Sequence, residues 1–374
     1  MFCGTGGFSI GFENYSNMVE VVAAVDILKV ATETMKANHP ESLVINNDIR
    51  NVNPADINNI LMKNNKKVDI IIGGPPCQGF SSIRPFRSEN LNDPRNSLFE
   101  QFVFFVEYFN PKVFVFENVV GLATHNNGKT IEIIQKRFQD IGYAVDWKVL
   151  NAANYGVPQK RERLIMIGGY GNHKVTFPSP THHFDGKTIG IKDKKRQQFS
   201  NLLLPPAITV AEAICDLPPL KSGEMSENYL DHPQTEYTQC RRKNCTKLTM
   251  HNSTAHTEKM LEIIRYAGDN INCIPQELIT SGFSTCYSRL RADEPASTIT
   301  VNFVHPASNK CIHPFQDRAL TPREGARLQS FDDDYIFCGT RSQIVKQIGN
   351  AVPPLLGQAI ASGILRYFST EPKC

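Results

Sequence analysis

Apolar segments alternate with helix-like stretches through the first half of the chain. Short runs rich in Val and Ile predict strands at Val19–Val25, Val68–Ile72, Val113–Phe116 and Leu164–Ile167. Apolar residues at helical spacing predict helices at Ile27–Asn38, Asn96–Phe109 and Thr130–Ile141, the second with many aromatic residues that we interpret as core packing. Strands that alternate with helices are typical of βαβ units. The pattern therefore predicts an α/β fold with a doubly wound, mostly parallel, Rossmann-like sheet.

The alternation stops near Pro178. The sequence that follows has Pro-Pro joints, basic clusters and short polar stretches, which favour irregular structure. Helical periodicity returns at Thr321–Gln329 and at Pro354–Tyr367, and the second of these is apolar enough to pack on the first domain. We therefore predict a larger domain and a smaller, irregular one, at residues 1–178 plus 335–374 and at residues 179–334 respectively.

Composition and charge narrow the class of protein only a little. Of 374 residues, 41% are hydrophobic and 21% are charged, and no run of about 18 apolar residues predicts a membrane span. The first residues lack the pattern of a signal peptide, and ten cysteines without paired spacing are typical of a reducing cytoplasm. A net charge of +3 does not by itself indicate nucleic acid. The basic stretches at residues 192–196 and 241–247 fit either a solvated face or phosphate contacts.

A glycine-rich turn opens the chain. Residues 2–8 read Phe-Cys-Gly-Thr-Gly-Gly-Phe, and Asp26 follows at the end of the next predicted strand. Glycines let the backbone approach a ligand closely, and a carboxylate at this distance suits a ribose diol. The spacing differs from the Gly-x-Gly-x-x-Gly of dinucleotide sites. Asp26 also fits an ordinary helix N-cap, so both interpretations stay open.

A more specific motif follows the strand at Val68–Ile72. Residues 73–81 read Gly-Gly-Pro-Pro-Cys-Gln-Gly-Phe-Ser, which places Cys77 on a stiff turn at the carboxyl end of a strand. Active sites of open α/β sheets lie at such ends, and prolines fix the position of the thiol before substrate binds. A thiol is a strong nucleophile even when only a small fraction is ionised. We therefore predict that Cys77 is a catalytic nucleophile.

Two further groups lie at neighbouring strand ends. Glu117 ends the strand at Val113–Phe116, where it is a candidate general acid or an ordinary surface residue. Arg161 and Arg163 precede the strand at Leu164–Ile167 at alternate positions. In an extended segment they would point to one face and could converge on phosphates or on a base oxygen.

With these motifs in this order, the chain resembles the cytosine-5 DNA methyltransferases of bacteria over nearly its whole length. The family's nucleophile motif is similar to Pro76-Cys77, its Glu-Asn-Val motif to Glu117–Val119, and its Gln-x-Arg-x-Arg motif to Gln159–Arg163. The last two family motifs resemble residues 323–331 and 347–353. The resemblance implies S-adenosylmethionine as cofactor, bound by Phe2, Gly4, Gly6, Gly7, Asp26, Ile27, Asp48, Ile49, Pro76, Asn350, Ala351 and Val352.

The resemblance also implies the reaction. Cys77 would add to carbon 6 of cytosine, Glu117 would act at N3 and the exocyclic amine, and Arg163 would bind O2 with support from Arg161. The target base is flipped out of the duplex, at a cost of a few kcal/mol. The segment after Cys77 would close over it, with contacts from Gln78, Ser81, Arg84 and Arg95.

A role in bacterial restriction–modification follows from the same resemblance. The partner would be double-stranded DNA, recognised by residues 179–334, and the enzyme would work in the cytoplasm with no membrane contact. A restriction endonuclease would act on the same DNA site without forming a stable complex with this chain.

The same residues are open to other interpretations. A tRNA cytosine-5 methyltransferase shares the Cys and Glu chemistry but usually has a shorter recognition region. A DNA-binding regulator without activity would be expected to lack Cys77 or Glu117. The spacing of one group of residues lacks the Cys-x-x-Cys of typical zinc motifs, so we predict no metal there: Cys240, Cys245, His251 and His256.

The resemblance has one gap, at the start of the chain. In the family a hydrophobic strand precedes the Phe-x-Gly turn, whereas here only Met1 stands before Phe2. A central strand buries several side chains, each contributing about 1.5–3 kcal/mol. We therefore expect the chain to begin at an internal methionine or to be a trimmed copy of a longer sequence.

Overall fold

The described residues form six strands flanked by helices. The computed structural model describes residues 1–76, 96–171, 176–185, 195–196, 203–230, 232–243, 245–279 and 282–370. The strands are β1 (Ala23–Asp26), β2 (Leu43–Asn46), β3 (Ile70–Gly73), β4 (Val113–Asn118), β5 (Tyr143–Asn151) and β6 (Glu162–Tyr170). The helices of the first half are α1 (Gly7–Tyr15), α2 (Lys29–Asn38), α3 (Pro54–Lys63), α4 (Asn96–Phe109), α5 (Gly121–Thr124) and α6 (Lys129–Asp140). The later helices are α7 (Val210–Ile214), α8 (Glu236–Arg242), α9 (Glu258–Arg265), α10 (Pro322–Leu328), α11 (Arg341–Asn350) and α12 (Pro354–Thr370).

The sheet is mixed. β1 pairs in parallel with β2, and β3 pairs in parallel with β4. β6 lies between β4 and β5 and is antiparallel to both. Only residues 152–161 join β5 to β6, which is shorter than the crossover that parallel neighbours require. The α/β class agrees with the prediction, but the strand predicted at Leu164–Ile167 is not part of a parallel sheet.

Most predicted elements occur, and their bounds differ by a few residues. α4 has the predicted bounds, and α6 and α12 lie within a few residues of them. The strand predicted at Val19–Val25 is shorter, because regular pairing with β2 begins only at Ala23. β2, β5 and α3 were not predicted.

The sheet is open between β1 and β3. The Met1 ammonium donates to the Ile72 carbonyl at 2.8 Å, and the Cys3 amide donates to the Val25 carbonyl at 3.1 Å. Beyond residues 1–3 no strand of the described chain joins these two edges, and an apolar slot separates them, lined by residues such as Val19 and Ile70. Burial lowers the pKa of the Met1 ammonium.

Aromatic side chains of α4 pack into one core with β4 and α6. Phe102 is fully buried, with edge-to-face contacts to Phe114 and Phe116, and Phe114 stacks on Phe138 at 4.1 Å between ring centroids. The interpretation of these aromatics as core is therefore confirmed for most of the helix. Two of its aromatic residues are an exception, because they lie on the solvent side and are 46% and 42% exposed: Phe104 and Tyr108.

A second core, formed by residues 210–351, contains buried arginines. On α10, Arg323 and Arg327 lie one turn apart and both contact Asp333, while Arg327 also pairs with Asp216 at 3.1 Å. Glu324 completes a capping box at the start of α10 and accepts two hydrogen bonds from the Arg318 guanidinium. These ion pairs connect segments of a region that has little regular secondary structure.

α12 packs on α1 through glycines. A Cβ placed on Gly11 would lie 2.3 Å from the Pro354 carbonyl, so only glycine allows this approach. The stretch from Arg341 to Arg366 is long and apolar enough to cross a membrane, but 61% of its most apolar window is buried inside the protein. The core helix of a globular protein has the same properties.

Candidate active site

The ends of β3 and β4 lie side by side. Gly73 pairs with Phe116 in the parallel register, so the turn that leads to Cys77 starts beside Glu117. The buried Asn118 side chain donates to the Pro75 carbonyl at 3.1 Å and fixes this turn. The predicted nucleophile and the predicted loop contacts lie outside the described residues: Cys77, Gln78, Ser81, Arg84 and Arg95.

Glu117 and Arg163 form an ion pair at this edge. Arg163 Nε lies 2.9 Å from Glu117 Oε1, and the side chains are 16% and 14% exposed. Ile165 on β6 is the register partner of Glu117, which places Arg163 just beyond the end of that pairing. A Cβ on Gly74 would lie 2.8 Å from Glu117 Oε2, so the glycine lets the carboxylate sit against the turn. The structure thus joins two of the predicted catalytic residues.

Arg161 does not share this ion pair. Its guanidinium is buried and donates to the backbone carbonyls of Ile299 and Gly349 at 3.1 and 3.2 Å. Burial lowers the pKa of Arg161, and the neighbouring charge of Arg163 lowers it further. Arg161 and Arg163 therefore have different hydrogen-bond partners but line the same cavity, and their convergence on one target stays a prediction.

The glycines of the glycine-rich turn have two different roles, at the cavity surface and in packing. Gly4 has a left-handed φ of 50°, and a Cβ there would meet nothing within 4 Å, so bare backbone borders the cavity. Gly6 instead packs against the interior, since a Cβ there would lie 2.6 Å from Met35 Sδ, and it does not line the cavity. At Gly7 a Cβ would lie 2.5 Å from the Val352 carbonyl. Gly4 and Gly7 both line the cavity, and at Gly4 the backbone faces open space.

Asp26 lines the cavity, as the ribose interpretation expects, but it is not the N-cap of α2, which is Leu28. One carboxylate oxygen accepts from the Gly4 amide at 2.8 Å, and the other accepts from the Leu28 amide, just before α2, at 2.9 Å. Asp26 therefore supports the glycine-rich turn and the start of α2, and it also lines the cavity. Asp48 lines the cavity as well, where Arg50 binds its carboxylate and lowers its pKa.

One cavity of about 1650 Å³ connects these groups and continues into the slot between β1 and β3. Apart from Gly6, the predicted cofactor residues line it, as do three of the predicted catalytic residues: Glu117, Arg161 and Arg163. Ile27 is 63% exposed beside Asp26, which offers an apolar surface next to carboxylate acceptors. Bare backbone at Gly4, two carboxylates and an exposed apolar side chain fit the amine, ribose and adenine of S-adenosylmethionine.

Several site residues were missed by sequence reasoning. Asn118 lies inside the recognised Glu-Asn-Val motif, so its fixing of the turn could have been suspected. The Tyr335 hydroxyl donates to the Thr5 carbonyl in the glycine-rich turn, and residues 298–301 line the cavity. These contacts join residues far apart in sequence, and no local pattern indicates them.

The zinc alternative finds no support in the described residues. Both ring nitrogens of His251 are in hydrogen-bond contact, with Thr321 and with the Pro218 carbonyl, and His256 Nε2 accepts from the Ala319 amide. In the part of the chain that the structure describes, no three His, Cys, Asp or Glu side chains are placed to hold a metal ion.

Comparisons with known proteins cover the whole fold. The family model for C-5 cytosine-specific DNA methylase matches residues 1–366. The chain is 38% identical to the Type II methyltransferase M1.HphI of Haemophilus parahaemolyticus, over 99% of this chain and 87% of that protein. It is 33% identical to the Type II methyltransferase M.AgeI of Thalassovita gelatinovora, over 97% and 98% of the two chains. A crystal structure assigned as a prophage-encoded DNA modification methyltransferase of E. coli matches with a TM-score of 0.74 and 26% identity, over 98% of each chain.

Proposed function

This chain belongs to the C-5 cytosine-specific DNA methylase family and is a DNA cytosine-5 methyltransferase, and we propose that Cys77, Glu117 and Arg163 carry its reaction. The observation that carries the proposal is the Glu117–Arg163 ion pair, which lies beside the turn that enters Cys77 and opens on the cavity bordered by Gly4. Acid and oxygen-binding cation then lie at one edge of the sheet, where the turn that leads to the nucleophile begins.

The chemistry of cytosine explains why these groups are needed. Carbon 5 is a poor nucleophile because the ring is aromatic. Addition of the Cys77 thiolate to carbon 6 breaks this aromaticity and makes carbon 5 the nucleophilic carbon of an enamine. Glu117, a carboxylate in its ion pair with Arg163, takes up a proton from solvent and donates it at N3 while charge moves into the ring, and Arg163 binds O2. S-adenosylmethionine, when bound, supplies the methyl group that carbon 5 accepts. Loss of the carbon 5 proton to a base, for which water suffices, then expels Cys77 as thiolate.

The cofactor is held, in this proposal, by the turn at residues 2–7 and by two carboxylates. Asp26 would accept hydrogen bonds from the ribose hydroxyls, and Asp48 would offer a second acceptor. Ile27 would contact the adenine, and residues 350–352, at and just after the end of α11, would line the same cavity. The remaining predicted contacts are Phe2, Ile49 and Pro76, with Gly6 as a support behind the turn.

The DNA partner is bound by the region at residues 179–334, while residues 1–178 and 335–374 carry the chemistry. Methyltransferases of this family act on double-stranded DNA, and the Type II names of the relatives support a role in restriction–modification. The loop contacts of Gln78, Ser81, Arg84 and Arg95 with DNA belong to this proposal. So does the cytoplasm of a bacterium as the place of action, together with a restriction endonuclease that shares the DNA site.

Methyl transfer from tritiated S-adenosylmethionine tests the proposal. We expect label on carbon 5 of cytosine in duplex DNA, none in bulk tRNA, and none with Cys77→Ser. Cys338→Ser is the matched control, because Cys338 is a half-buried thiol that does not line the cavity, and it should keep the label. Label in tRNA alone, or full activity of Cys77→Ser, would contradict the proposal.

A further inference from the structure

Arg161 connects separate segments of the chain at the cavity. One nitrogen of its guanidinium, Nη1, donates both to the Ile299 carbonyl at 3.1 Å and to the Gly349 carbonyl at 3.2 Å. The residue is 2% exposed, and its Nε has no hydrogen-bond partner among the described residues. The nearby carboxylate of Glu117 is paired with Arg163 instead. Arg161 thus donates these hydrogen bonds to backbone carbonyls and not to a catalytic group.

The segment that Arg161 contacts is fixed from the same side by its neighbours. Gln159 Oε1 accepts from the Ile299 amide at 2.8 Å, and the Thr298 hydroxyl donates to the Lys160 carbonyl at 3.1 Å. Both backbone groups of Ile299 are therefore held by the side chains of residues 159 and 161. Gln159 is itself fully buried and reaches the Leu328 carbonyl.

The end of α11 packs closely against the segment at residues 298–301. A Cβ placed on Gly349 would lie 2.4 Å from the Thr300 carbonyl carbon and 2.5 Å from the Val301 amide nitrogen. Backbone therefore rests on backbone at this point, and Arg161 ties the two together by its bonds to Ile299 and Gly349. The arrangement leaves no room for an independent shift of residues 298–301, which we call the cavity wall.

We propose that Arg161 is a positioning residue, which holds the cavity wall at a fixed distance from Glu117 and Arg163 and so sets the width of the space that receives the flipped cytosine. The cavity wall, Glu117 and Arg163 all line the same cavity. The inference rests on the proposed function of that cavity, and it replaces the catalytic role that the sequence suggested for Arg161.

Two substitutions distinguish a positioning role of Arg161 from a role of its positive charge. Lysine keeps the positive charge of Arg161 but is a single point donor on a flexible stem, and it does not reproduce the planar guanidinium. Arg161→Lys therefore tests the geometry, and Arg161→Met removes the charge while filling a similar volume. If Arg161 acted through its charge on the base, lysine would preserve activity and methionine would not.

The experiment measures single-turnover methyl transfer to duplex DNA at saturating DNA and cofactor, together with S-adenosylmethionine affinity and the melting temperature. We expect both variants to bind cofactor as the wild type does and to transfer methyl about 10- to 100-fold more slowly, because a displacement of about 1 Å costs up to about 100-fold. Fluorescence of 2-aminopurine at the target position should still report flipping, with a base held less rigidly.

Tyr143→Phe is the matched control. It removes a buried side-chain bond to the Pro111 carbonyl on the same sheet, away from the cavity, and should lower the melting temperature without changing the rate. Arg161→Lys at the wild-type rate would overturn the positioning role. So would a loss confined to the melting temperature, as in Tyr143→Phe. A wild-type protein that methylates no duplex DNA would instead refute the proposed function itself.

Discussion

Gly74, on the turn that leads to Cys77, lies against the Glu117 carboxylate. A Cβ on Gly74 would lie 2.8 Å from Glu117 Oε2, whereas ordinary contact begins at 3.4 Å, so Gly74→Ala forces the groups apart by about 0.6 Å. The φ of Gly74 is not left-handed, so alanine adds no backbone strain there. The substitution therefore acts on the active-site spacing with little effect on the fold.

The size of the effect follows from the distances at this edge. Glu117 lies 2.9 Å from Arg163 Nε, and a shift of about 0.6 Å takes that contact past the usual hydrogen-bond limit of about 3.2 Å. A displacement of about 1 Å in an active site costs about 100-fold in rate. At the same loss of about 100-fold per ångström, a shift of about 0.6 Å corresponds to about 16-fold. We therefore expect Gly74→Ala to lower the methyl-transfer rate by about 10- to 20-fold.

Single-turnover transfer of tritiated methyl to duplex DNA measures this loss, with S-adenosylmethionine affinity as the companion measurement. Glu117→Asp shortens the carboxylate and relieves the clash, so its further cost in the Gly74→Ala background should be smaller than in the wild type. Strictly additive losses would refute the proposed clash. A wild-type rate for Gly74→Ala, or a loss of cofactor affinity as large as the loss of rate, would refute it as well.

Three further predictions concern stability. Arg327→Ala leaves the buried carboxylates of Asp216 and Asp333 without their shared cation, and should lower the free energy of unfolding in urea by about 3–5 kcal/mol; a loss below about 1 kcal/mol would contradict this. Burial lowers the pKa of His313 to about 4, so the unfolded chain binds the extra proton first, and the melting temperature should fall as the pH drops from about 6.5 towards 4. His313→Gln should flatten that profile, and an unchanged profile would exclude His313 as its cause. A segment of about five apolar residues placed before Met1 should pair with β1 and β3 in the slot and raise the melting temperature, whereas a polar segment of equal length should not.

The local elements of this fold could largely be predicted from the sequence, because helix and strand periodicity depend on neighbouring residues. The bounds of α4 and the strand at β4 are examples. The direction of β6 could not, since apolar alternation indicates a strand but not which way its partners run. The residues that complete the cavity were also hidden, because Arg161 meets Ile299 across 138 positions and Gly349 across 188. Such contacts depend on packing between distant segments, for which a single sequence carries no local signal.

The same limit applies to the glycine-rich turn. The sequence indicated that its glycines serve ligand binding, and this fits Gly4. The structure shows that Gly6 and Gly7 serve packing against Met35 and Val352. Glycine is needed for either purpose, so residue type alone does not separate them.

The hydrogen bond from Tyr335 to Thr5 has a thermodynamic consequence. Tyr335 lies two residues after Asp333, whose carboxylate binds Arg323 and Arg327 in the core of the region proposed to bind DNA. Thr5 lies in the turn proposed to hold the cofactor. A movement of that core on binding DNA would reach the cofactor turn through this hydrogen bond. Linkage requires the effect to be reciprocal: the factor by which DNA tightens cofactor binding equals the factor by which cofactor tightens DNA binding. Dissociation of the used cofactor would then lower the affinity for DNA by that same factor and so favour release of the methylated site.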